Sequence, residues 1–482
     1  MTKKKPSTLV MKFGGTSVGS VEAMAQAVAN IRASKADWER VVVVTSALSG
    51  VTNLLVESTA RAVRGDEVFI SQTESELVAK HYKIAEQLID SPAQQAQVKQ
   101  EIKHLSADFA NLCRAIRVLG EATPRAMDAV VSLGERLSVR LLAAALQAAG
   151  TPSQFIETTH LIVTDDDFQS AYPDLAKTEA NVQDILEPLL AQGQVPVLTG
   201  FIGATEEGIT TTLGRGGSDY SAAIIGATLP ADEVWIWTDV TGVMTADPRI
   251  VQQARTIPEV SYREMAELSY FGAKVLHPKA VRPVVELGIP VRICNTFNPD
   301  EKGTYVLDDK QQNGMKEKPN NGNQQIVKAV TAIQHQSVIT VEGRGMLGVP
   351  GVAARTFGAV AATGTSVPLI TQASSEQSIS FSVPCDAVDA VLASLHQAFT
   401  EELTQRDIDH VWATDEVAII TAVGNGLQQT PGVAGKVFSA LGAANVNVYA
   451  IAQGSSAVAI SLIVATDDAQ KAVQTLHHFI TS

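Results

Sequence analysis

Short apolar runs alternate with longer amphipathic stretches over residues 9–296 of the chain. The apolar runs predict buried strands at residues 9–13, 41–44, 154–157, 195–201 and 233–238. Strands that alternate with helices favour a largely parallel sheet, with ligands bound at the carboxyl ends of the strands. The first part of the chain is therefore predicted to be an α/β domain.

Helical periodicity fills the spaces between these strands. A helix begins near Val21, and further helices are predicted at residues 129–149 and 179–191. Residues 57–125 read as amphipathic helices with charged faces, so we expect a helical insertion that lies over the sheet.

The sequence changes character after residue 298 and then repeats itself. Residues 299–325 are rich in Asn, Gly, Lys, Asp and Gln, which predicts a linker. Beyond it, residues 350–353 (Pro-Gly-Val-Ala) recur at 431–434, and Gln372 recurs as Gln453 at the same offset. A constant offset indicates duplication, and each unit follows the order strand, helix, two strands, helix of a ferredoxin-like domain.

A glycine pattern inside this repeat suggests nucleotide binding, and the repeat argues against it. Residues 343–348 match GxGxxG after a predicted strand. The second unit has Gln429 where the first has Gly348, and Pro350 closes the loop. We therefore do not expect a dinucleotide site there.

Composition narrows the class of protein. The chain has 482 residues, a net charge of −14 and 45% hydrophobic residues. No apolar run approaches the roughly 18 residues of a membrane span, and the negative charge disfavours nonspecific nucleic-acid binding. The basic start lacks an apolar signal core, so we expect a cytoplasmic enzyme without nucleic-acid or membrane partners. The three cysteines lie far apart and suggest no metal site.

Residues 210–223 (Thr-Thr-Thr-Leu-Gly-Arg-Gly-Gly-Ser-Asp-Tyr-Ser-Ala-Ala) concentrate groups that can handle an anion. Glycines leave backbone N–H groups uncovered, and the helix predicted from Ser221 would direct its N-terminal dipole at a bound phosphate or carboxylate. Arg215 and Asp219 lie within the stretch. The alternative is an ordinary glycine-rich turn in which these two residues pair with each other.

Two further loops resemble substrate loops. Lys12 ends the first strand before Gly-Gly-Thr-Ser, and residues 45–53 after the second strand are rich in hydroxyl groups and glycine. Either loop alone is also typical of an ordinary strand-to-helix turn. Glu135 is either a first-turn acid favoured by the helix dipole or a carboxylate that receives a substrate ammonium. Together with Lys274, these groups suit phosphoryl transfer, which depends mainly on positioning and charge neutralisation.

Four motifs together carry a family resemblance. Residues 12–17 (Lys-Phe-Gly-Gly-Thr-Ser), 211–219, 237–240 (Trp-Thr-Asp-Val) and 272–278 (Gly-Ala-Lys-Val-Leu-His-Pro) resemble those of aspartate kinases, which share the amino acid kinase fold and end in paired ACT domains. The resemblance implies an α/β/α sandwich followed by two ferredoxin-like βαββαβ ACT domains. It implies transfer of the ATP γ-phosphoryl group, with Mg²⁺, to the side-chain carboxylate of L-aspartate, the first step of lysine, threonine and methionine biosynthesis.

The same resemblance assigns roles residue by residue. Its catalytic residues are Lys12, Asp219 and Lys274. Its amino-acid site comprises Thr45, Thr52, Glu135, Arg215 and Ser218, with Arg215 holding the α-carboxylate as a bidentate fork. Its ATP site comprises Lys12, Phe13, Gly14, Gly15, Thr238, Asp239, Met244, Arg249 and Lys274, with Gly14 and Gly15 as backbone donors and Met244 where relatives commonly have tyrosine.

The resemblance also implies regulation and assembly. It divides the chain into a catalytic domain (1–298), a first ACT domain (326–410) and a second (411–482), with residues 326–333 completing the second, and it implies a homo-oligomer. The two glutamines, Gln372 and Gln453, match the threonine-binding positions of aspartate kinases fused to homoserine dehydrogenase. Ala457 replaces the acid that the first unit has as Glu376, so lysine, or no effector, remains an alternative to threonine. A kinase of glutamate, carbamate or a nucleotide, and a non-catalytic amino-acid sensor, are the competing functions.

Overall fold

The structure is a computed structural model that describes residues 7–272, 276–308, 326–373, 377–427, 430–453 and 457–481. The chain divides into two compact units. The described part of the first unit comprises residues up to 243, 258–262 and 276–308. The second unit contains residues 244–257, 263–272 and the described residues from 326 onward.

A mostly parallel sheet forms the centre of the first unit. Its apolar strands are buried because helices cover both faces, as the near-continuous Val, Leu and Ile runs predict. Among the described residues the strand order is β3-β4-β2-β1-β7-β9-β10-β8, and the β9–β10 pair is antiparallel. The strands are β1 (Thr8–Phe13), β2 (Arg40–Thr45), β3 (Ser153–Ile156), β4 (Val195–Thr199), β7 (Glu233–Thr238), β8 (Glu259–Ser261), β9 (Val291–Asn295) and β10 (Thr304–Leu307). A separate hairpin joins β5 (Ile202–Ala204) to β6 (Thr210–Thr212).

The helices of the first unit form two layers. One layer buries Leu55, Leu77 and Phe109 against Leu9 and Met11 of β1. It contains α1 (Gly15–Val18), α2 (Val21–Asp37), α3 (Val51–Val63), α4 (Glu67–Leu88), α5 (Pro92–Leu119), α6 (Pro124–Val131) and α7 (Leu133–Ala148). The other layer contains α8 (Leu175–Ala191), α9 (Gly217–Thr228) and α11 (Pro278–Glu286), with α9 in contact with both of the others. The predicted α/β class is confirmed.

Two elements differ from the sequence predictions. The predicted helix over residues 129–149 is interrupted at Ser132, which separates α6 from α7 and places Glu135 in the first turn of α7. Strand β10 lies inside the predicted linker, where it pairs with both β8 and β9. Its apolar core is only a few residues long and follows a polar stretch, so the composition of the segment hid it.

The second unit contains an antiparallel sheet built on one long strand, β11 (Ala329–Glu342). The first half of β11 pairs with β15, and its second half pairs with β13 and β14. The register shifts between Ile333 and Gln336, just after residues 326–333, which the family resemblance assigned to the second ACT domain. The other strands are β12 (Ile370–Gln372), β13 (Ser378–Pro384), β14 (His410–Ala413), β15 (Val417–Val423), β16 (Ala450–Ala452) and β17 (Ala459–Ala465).

Helices cover this sheet in two repeated cores. One core buries Phe381 and Leu395, and the other buries Val437 and Leu476. The helices are α10 (Tyr262–Tyr270), α12 (Val352–Ala362), α13 (Val388–Ala398), α14 (Thr400–Gln405), α15 (Val433–Ala443) and α16 (Ala469–Thr481).

Cross-strand hydroxyl pairs repeat the duplication in three dimensions. The side-chain oxygens of Thr340 and Ser380 are 2.9 Å apart, and those of Thr421 and Ser461 are also 2.9 Å apart. These residues occupy matching positions of the two repeats. The internal duplication read from the sequence is therefore present in the strand pairing.

Residues 244–257 belong to the second unit although strand β7 of the first unit ends only five residues before them. Ala246 and Val251 are buried in the same core as Val437. Thr245 hydrogen-bonds through its Oγ1 to Nε2 of His477, at 2.8 Å. These contacts, rather than any compositional change, fix the segment in this unit.

Candidate active site

A polar cavity of about 490 Å³ opens in the first unit where β1, β2 and β7 end. The carboxyl ends of parallel strands meet at this edge, which is where α/β sheets bind ligands. The loops after these strands and the first turns of α7 and α9 form its wall. The lining residues are Lys12, Gly14, Gly15, Thr16, Ser46, Ala47, Leu48, Ser49, Gly50, Thr52, Asn53, Glu135, Phe201, Gly214, Gly216, Gly217, Ser218, Asp219 and Thr238.

Lys12 and Asp219 form an ion pair in the cavity wall. Lys12 Nζ lies 2.5 Å from Asp219 Oδ1, and the side chains are 11% and 13% exposed. Lys12 comes from the end of β1 and Asp219 from the first turn of α9. The pair keeps the lysine charge oriented toward the cavity in the absence of a ligand.

The glycine-rich loop folds as an opening to α9. Gly214 and Gly216 have φ values of +73° and +72°, a left-handed conformation that favours glycine. Helix α9 begins at Gly217 without a side-chain cap at Gly216, and its first turn lines the cavity. Backbone N–H groups and the helix dipole at such a terminus favour a bound anion.

Glu135 is buried in the opposite wall. Its Oε1 accepts a hydrogen bond from the backbone N–H of Ala47, at 3.2 Å. Oε2 has no hydrogen-bond partner among the described residues. Burial raises the pKa of Glu135 to about 8, and the hydrogen bond from Ala47 and the charge of Lys12 oppose this shift only in part. The raised pKa favours the protonated form of this side chain at neutral pH.

The loop after β1 differs in detail from the expectation. The Gly14 N–H donates to the carbonyl oxygen of Trp237, at 3.1 Å, so this donor is already used, whereas the resemblance made it a phosphate donor. Phe13 is fully buried and stacks on Trp237 with ring centroids 5.8 Å apart. Phe13 does not line the cavity, and its carbonyl oxygen accepts a hydrogen bond from the Ser46 N–H, at 3.1 Å. Gly15 lines the cavity, and a Cβ there would lie 3.0 Å from the carbonyl oxygen of Ala47.

Two residues assigned to the amino-acid site are outside the cavity lining. Thr45 is fully buried, and its Oγ1 lies 3.3 Å from the Ser138 hydroxyl oxygen. Arg215 is exposed on the glycine-rich loop. Its charge still acts on His277, whose pKa is lowered chiefly by burial and further by Lys279 and Arg215. Thr52 and Ser218 do line the cavity.

The residues assigned to ATP are divided between the two units. Thr238 lines the cavity and donates from Oγ1 to Oδ1 of the exposed Asp239, at 3.1 Å. Met244 and Arg249 belong to the second unit. There Arg249 pairs with Asp247 at 2.6 Å, and Met244 Sδ accepts a hydrogen bond from Thr256. Lys274 lies outside the described residues.

Phe201 is a cavity residue that the sequence reading did not select. It has a φ of +68°, unusual for an aromatic residue, and its N–H donates to Ser221 Oγ, at 2.9 Å. Its ring packs so closely on Gly217 that a Cβ there would lie 2.5 Å from the ring. The Gly-Phe pair after β4 was the available signal. Ser46, Ser49 and Asn53 also line the cavity and were noted only as part of a hydroxyl-rich loop.

The candidate effector residues lie at the ends of short strands in the second unit. Gln372 is the last residue of β12, and Gln453 directly follows β16. Both are exposed. Among the described residues, no group of His, Cys, Asp and Glu side chains has the arrangement of a metal site, and no helix is long and apolar enough to cross a membrane.

Comparison with known proteins defines the class. Residues 7–295 match the amino acid kinase family, and residues 339–399 and 420–479 match the ACT domain. The chain therefore belongs to the amino acid kinase family. Its similarity to aspartokinases extends over nearly its whole length, as the following matches show.

The chain is 38% identical over 475 residues to the chloroplastic bifunctional aspartokinase/homoserine dehydrogenase 1 of Zea mays, covering 97% of this chain and 50% of that protein. It thus spans about half the length of the first curated relatives. It is 33% identical to the chloroplastic aspartokinase 1 of Arabidopsis thaliana, covering 98% of this chain and 80% of the relative. Among solved structures, E. coli aspartokinase III in complex with aspartate and ADP matches with a TM-score of 0.77 and 30% identity, covering 99% of this chain and 100% of that one.

Proposed function

We propose that the protein is an aspartate kinase, which transfers the γ-phosphoryl group of ATP to the side-chain carboxylate of L-aspartate and produces 4-phospho-L-aspartate. The observation that carries the proposal is the single cavity that places Lys12, Glu135, Ser218 and Asp219 around one space. The similarity to an aspartokinase whose complex contains aspartate and ADP supports this choice of substrates.

The amino-acid half of the cavity suits a zwitterion that carries a second carboxylate. Glu135 would receive the α-ammonium, because its unpartnered Oε2 is buried in the wall. Ser218 and Thr52 would donate hydrogen bonds to carboxylate oxygens. Arg215 is exposed on the glycine-rich loop and would hold the α-carboxylate once its side chain turns inward. Thr45, buried beneath the loop, would orient residues 46–53 rather than touch the substrate.

The phosphate half of the cavity supplies positive charge. Lys12 and the N-terminus of α9 would stabilise the transferring phosphoryl group, and Gly15 permits close approach of the backbone. Asp219 holds Lys12 in place. Thr238, which lines the cavity, and Asp239, which it hydrogen-bonds, would complete the part of the ATP site that lies in this unit. The acceptor carboxylate needs no general base, because a side-chain carboxyl group with an ordinary pKa near 4 is already ionised at neutral pH.

Mg²⁺ would enter with ATP. This ion prefers oxygen ligands and usually retains water while it binds phosphates and one or two carboxylates. Asp219 fits that preference, since it is a carboxylate in the cavity wall beside the phosphate-binding lysine. When bound, the ion neutralises charge on the β- and γ-phosphates.

End-product control would act through the second unit. We expect threonine to be the effector, recognised by Gln372 and Gln453, since a primary amide both donates and accepts hydrogen bonds. The curated relatives named bifunctional aspartokinase/homoserine dehydrogenase support this branch, whereas a solved complex of aspartokinase III with lysine supports the lysine alternative. Assembly as a homo-oligomer through the ACT domains completes the proposal.

A substrate panel tests the proposed reaction. ADP release is measured with aspartate, glutamate or carbamate as acceptor, and hydroxylamine is added to trap the acyl phosphate. We expect release and trapping with aspartate alone. Preference for glutamate or carbamate would assign another kinase of this family, and no release with any acceptor, together with stabilisation by an amino acid, would identify a non-catalytic sensor.

A further inference from the structure

Asp128 is a buried carboxylate that the proposed reaction does not use. It lies in α6 and is fully buried. Its Oδ2 accepts hydrogen bonds from the backbone N–H groups of Gln169 and Thr212, at 3.0 and 2.9 Å. Its Oδ1 accepts a third from Thr212 Oγ1, at 2.8 Å. Burying a carboxylate costs free energy, and here three hydrogen-bond donors on two different chain segments offset that cost.

Both segments reach the glycine-rich loop, one along the chain and the other by packing against it. Thr212 is the last residue of β6, and residues 213–217 follow it directly. Gln169 has a φ of +73°, and its carbonyl oxygen approaches Gly214 so closely that a Cβ there would lie 3.1 Å away. The Ala171 N–H donates to the Thr212 carbonyl oxygen, at 2.9 Å, and joins the two segments. The position of the loop is thus set at its entrance.

The chain that follows Asp128 leads to Glu135 in the cavity wall. Helix α6 continues through Ser132 into α7, and the Ser132 N–H donates to the Asp128 carbonyl oxygen, at 3.1 Å. Glu135 follows in the first turn of α7. One short stretch of chain therefore carries the acid that lines the cavity and the acid that holds β6.

We propose that Asp128 is a positioning residue for the amino-acid half of the site: its carboxylate fixes the entrance of the glycine-rich loop relative to the helix that carries Glu135. Its role rests on the proposed function, since the loop would hold aspartate through Arg215 and Ser218. Loss of the carboxylate leaves the buried Thr212 N–H and the more exposed Gln169 N–H without their acceptor and frees the loop to shift. The effect on KM should fall on the amino acid, because Arg215 and Ser218 lie on or directly after the loop, whereas Lys12 and Gly15 come from β1 and the loop after it. A shift of the N-terminus of α9 would lower kcat rather than change the KM for ATP.

Three variants separate this role from a general contribution to stability. D128A removes all three hydrogen bonds. In D128N the amide oxygen can still accept from the two N–H groups, and the amide NH₂ can donate to the Thr212 hydroxyl oxygen. Its effect should therefore be intermediate. T212V removes only the hydroxyl donor and keeps the backbone bond. S153A is the matched control, because Ser153 Oγ donates to the Ala143 carbonyl oxygen, at 2.8 Å, in a buried contact between β3 and α7.

The experiment measures KM for aspartate and for ATP in the full chain, with hydrogen exchange of residues 209–219. For D128A we expect the aspartate KM to rise roughly 10- to 100-fold, as unpaired buried groups imply. The ATP KM should stay within about twofold, and exchange of residues 209–219 should accelerate while β7 is unchanged. T212V should move both readouts in the same direction by less, which keeps the test valid if D128A does not fold.

The outcomes distinguish this proposal from the proposed function. If D128A and T212V lower the melting temperature but match S153A in the KM ratio and in loop exchange, Asp128 only stabilises the fold and the proposal is overturned. If the wild-type protein does not phosphorylate aspartate, the proposed function fails, and the exchange of residues 209–219 alone then decides whether Asp128 fixes the loop.

Discussion

The ammonium group of Lys12 lies 2.5 Å from the carboxylate of Asp219, and this contact joins the end of β1 to the first turn of α9. Each side chain fixes the other at the point where phosphate charge would develop. Neither belongs to the hydrophobic cores, which form from the apolar residues of the strands and helices. Substitutions at this pair should therefore change activity while the hydrophobic cores stay intact.

Replacing Asp219 by Ala should lower kcat by about 100- to 1000-fold, the usual effect of removing one preorganised electrostatic group. The loss follows because Lys12 is no longer held toward the phosphate. Thermal melting by circular dichroism should still show one cooperative transition. A D219A variant with near-normal kcat would contradict the role of the pair, whatever its stability.

Glu135 should make aspartate binding depend on pH. Its pKa is raised to about 8 by burial, so below that pH the acid is protonated in the free enzyme. The substrate ammonium favours the ionised form, and binding must release the proton. The aspartate KM should therefore fall as pH rises from 6 to 8, by at most about tenfold per unit, and then level off.

The E135Q variant provides the control for this pH effect. Its aspartate KM should be higher and nearly independent of pH, because an amide does not titrate. The ATP KM profile should be the same in both proteins. An E135Q profile parallel to that of the wild type would assign the pH dependence to another group.

Parts of this site were predictable from sequence because they depend on local patterns. Strand β7 was predicted at its observed bounds, and the helix after the glycine-rich loop begins at Gly217, about one turn before the predicted Ser221. The family resemblance assigned Thr45 to the amino-acid site, but its side chain is buried toward Ser138. Which face a loop side chain takes depends on packing between distant segments, and one sequence does not contain that information.

Packing between distant segments also explains the site features that the sequence did not reveal. The Gly14 N–H is used by Trp237, a residue more than 200 positions away. Phe201 enters the cavity through an unusual backbone conformation that no periodicity announces. Residues 244–257 pack in the core of the second unit although they continue the kinase-like motif.

Alanine variants of two glycines can separate an effect on the cavity from an effect of backbone strain alone. Gly216 and Gly208 have similar φ values, +72° and +78°, so alanine should cost about 1–2 kcal/mol at either position. A Cβ at Gly216 would lie 3.2 Å from His277 Cβ, whereas nothing lies within 4 Å of one at Gly208. We expect both variants to melt earlier by similar amounts, while only G216A loses kcat/KM by about tenfold or more. Equal kcat/KM losses would show that strain, not the cavity, is responsible.

Arg215 and Arg249 should divide between the two substrates. R215K keeps the charge but loses the planar two-pronged geometry that matches a carboxylate. Its aspartate KM should rise much more than its ATP KM. R249K, the matched substitution in the ATP set, should show the reverse. If R215K raised both KM values equally, Arg215 would belong to the nucleotide site.

The two glutamines give the test of regulation. Gln372 and Gln453 lie at matching positions of the two repeats and are exposed, so neither is required to tie its strand to the core. An effector can inhibit only if it binds the inactive state more tightly than the active one, and such coupling is typically about 1–3 kcal/mol. Q453A should remove effector contacts and leave the catalytic cavity intact. The threonine concentration for half inhibition should then rise, while uninhibited kcat stays nearly unchanged.

Q372A tests whether the first repeat contributes in the same way. Activity and melting temperature measured with millimolar threonine and lysine decide between the effectors: a response to lysine alone would refute the assignment of these glutamines to threonine.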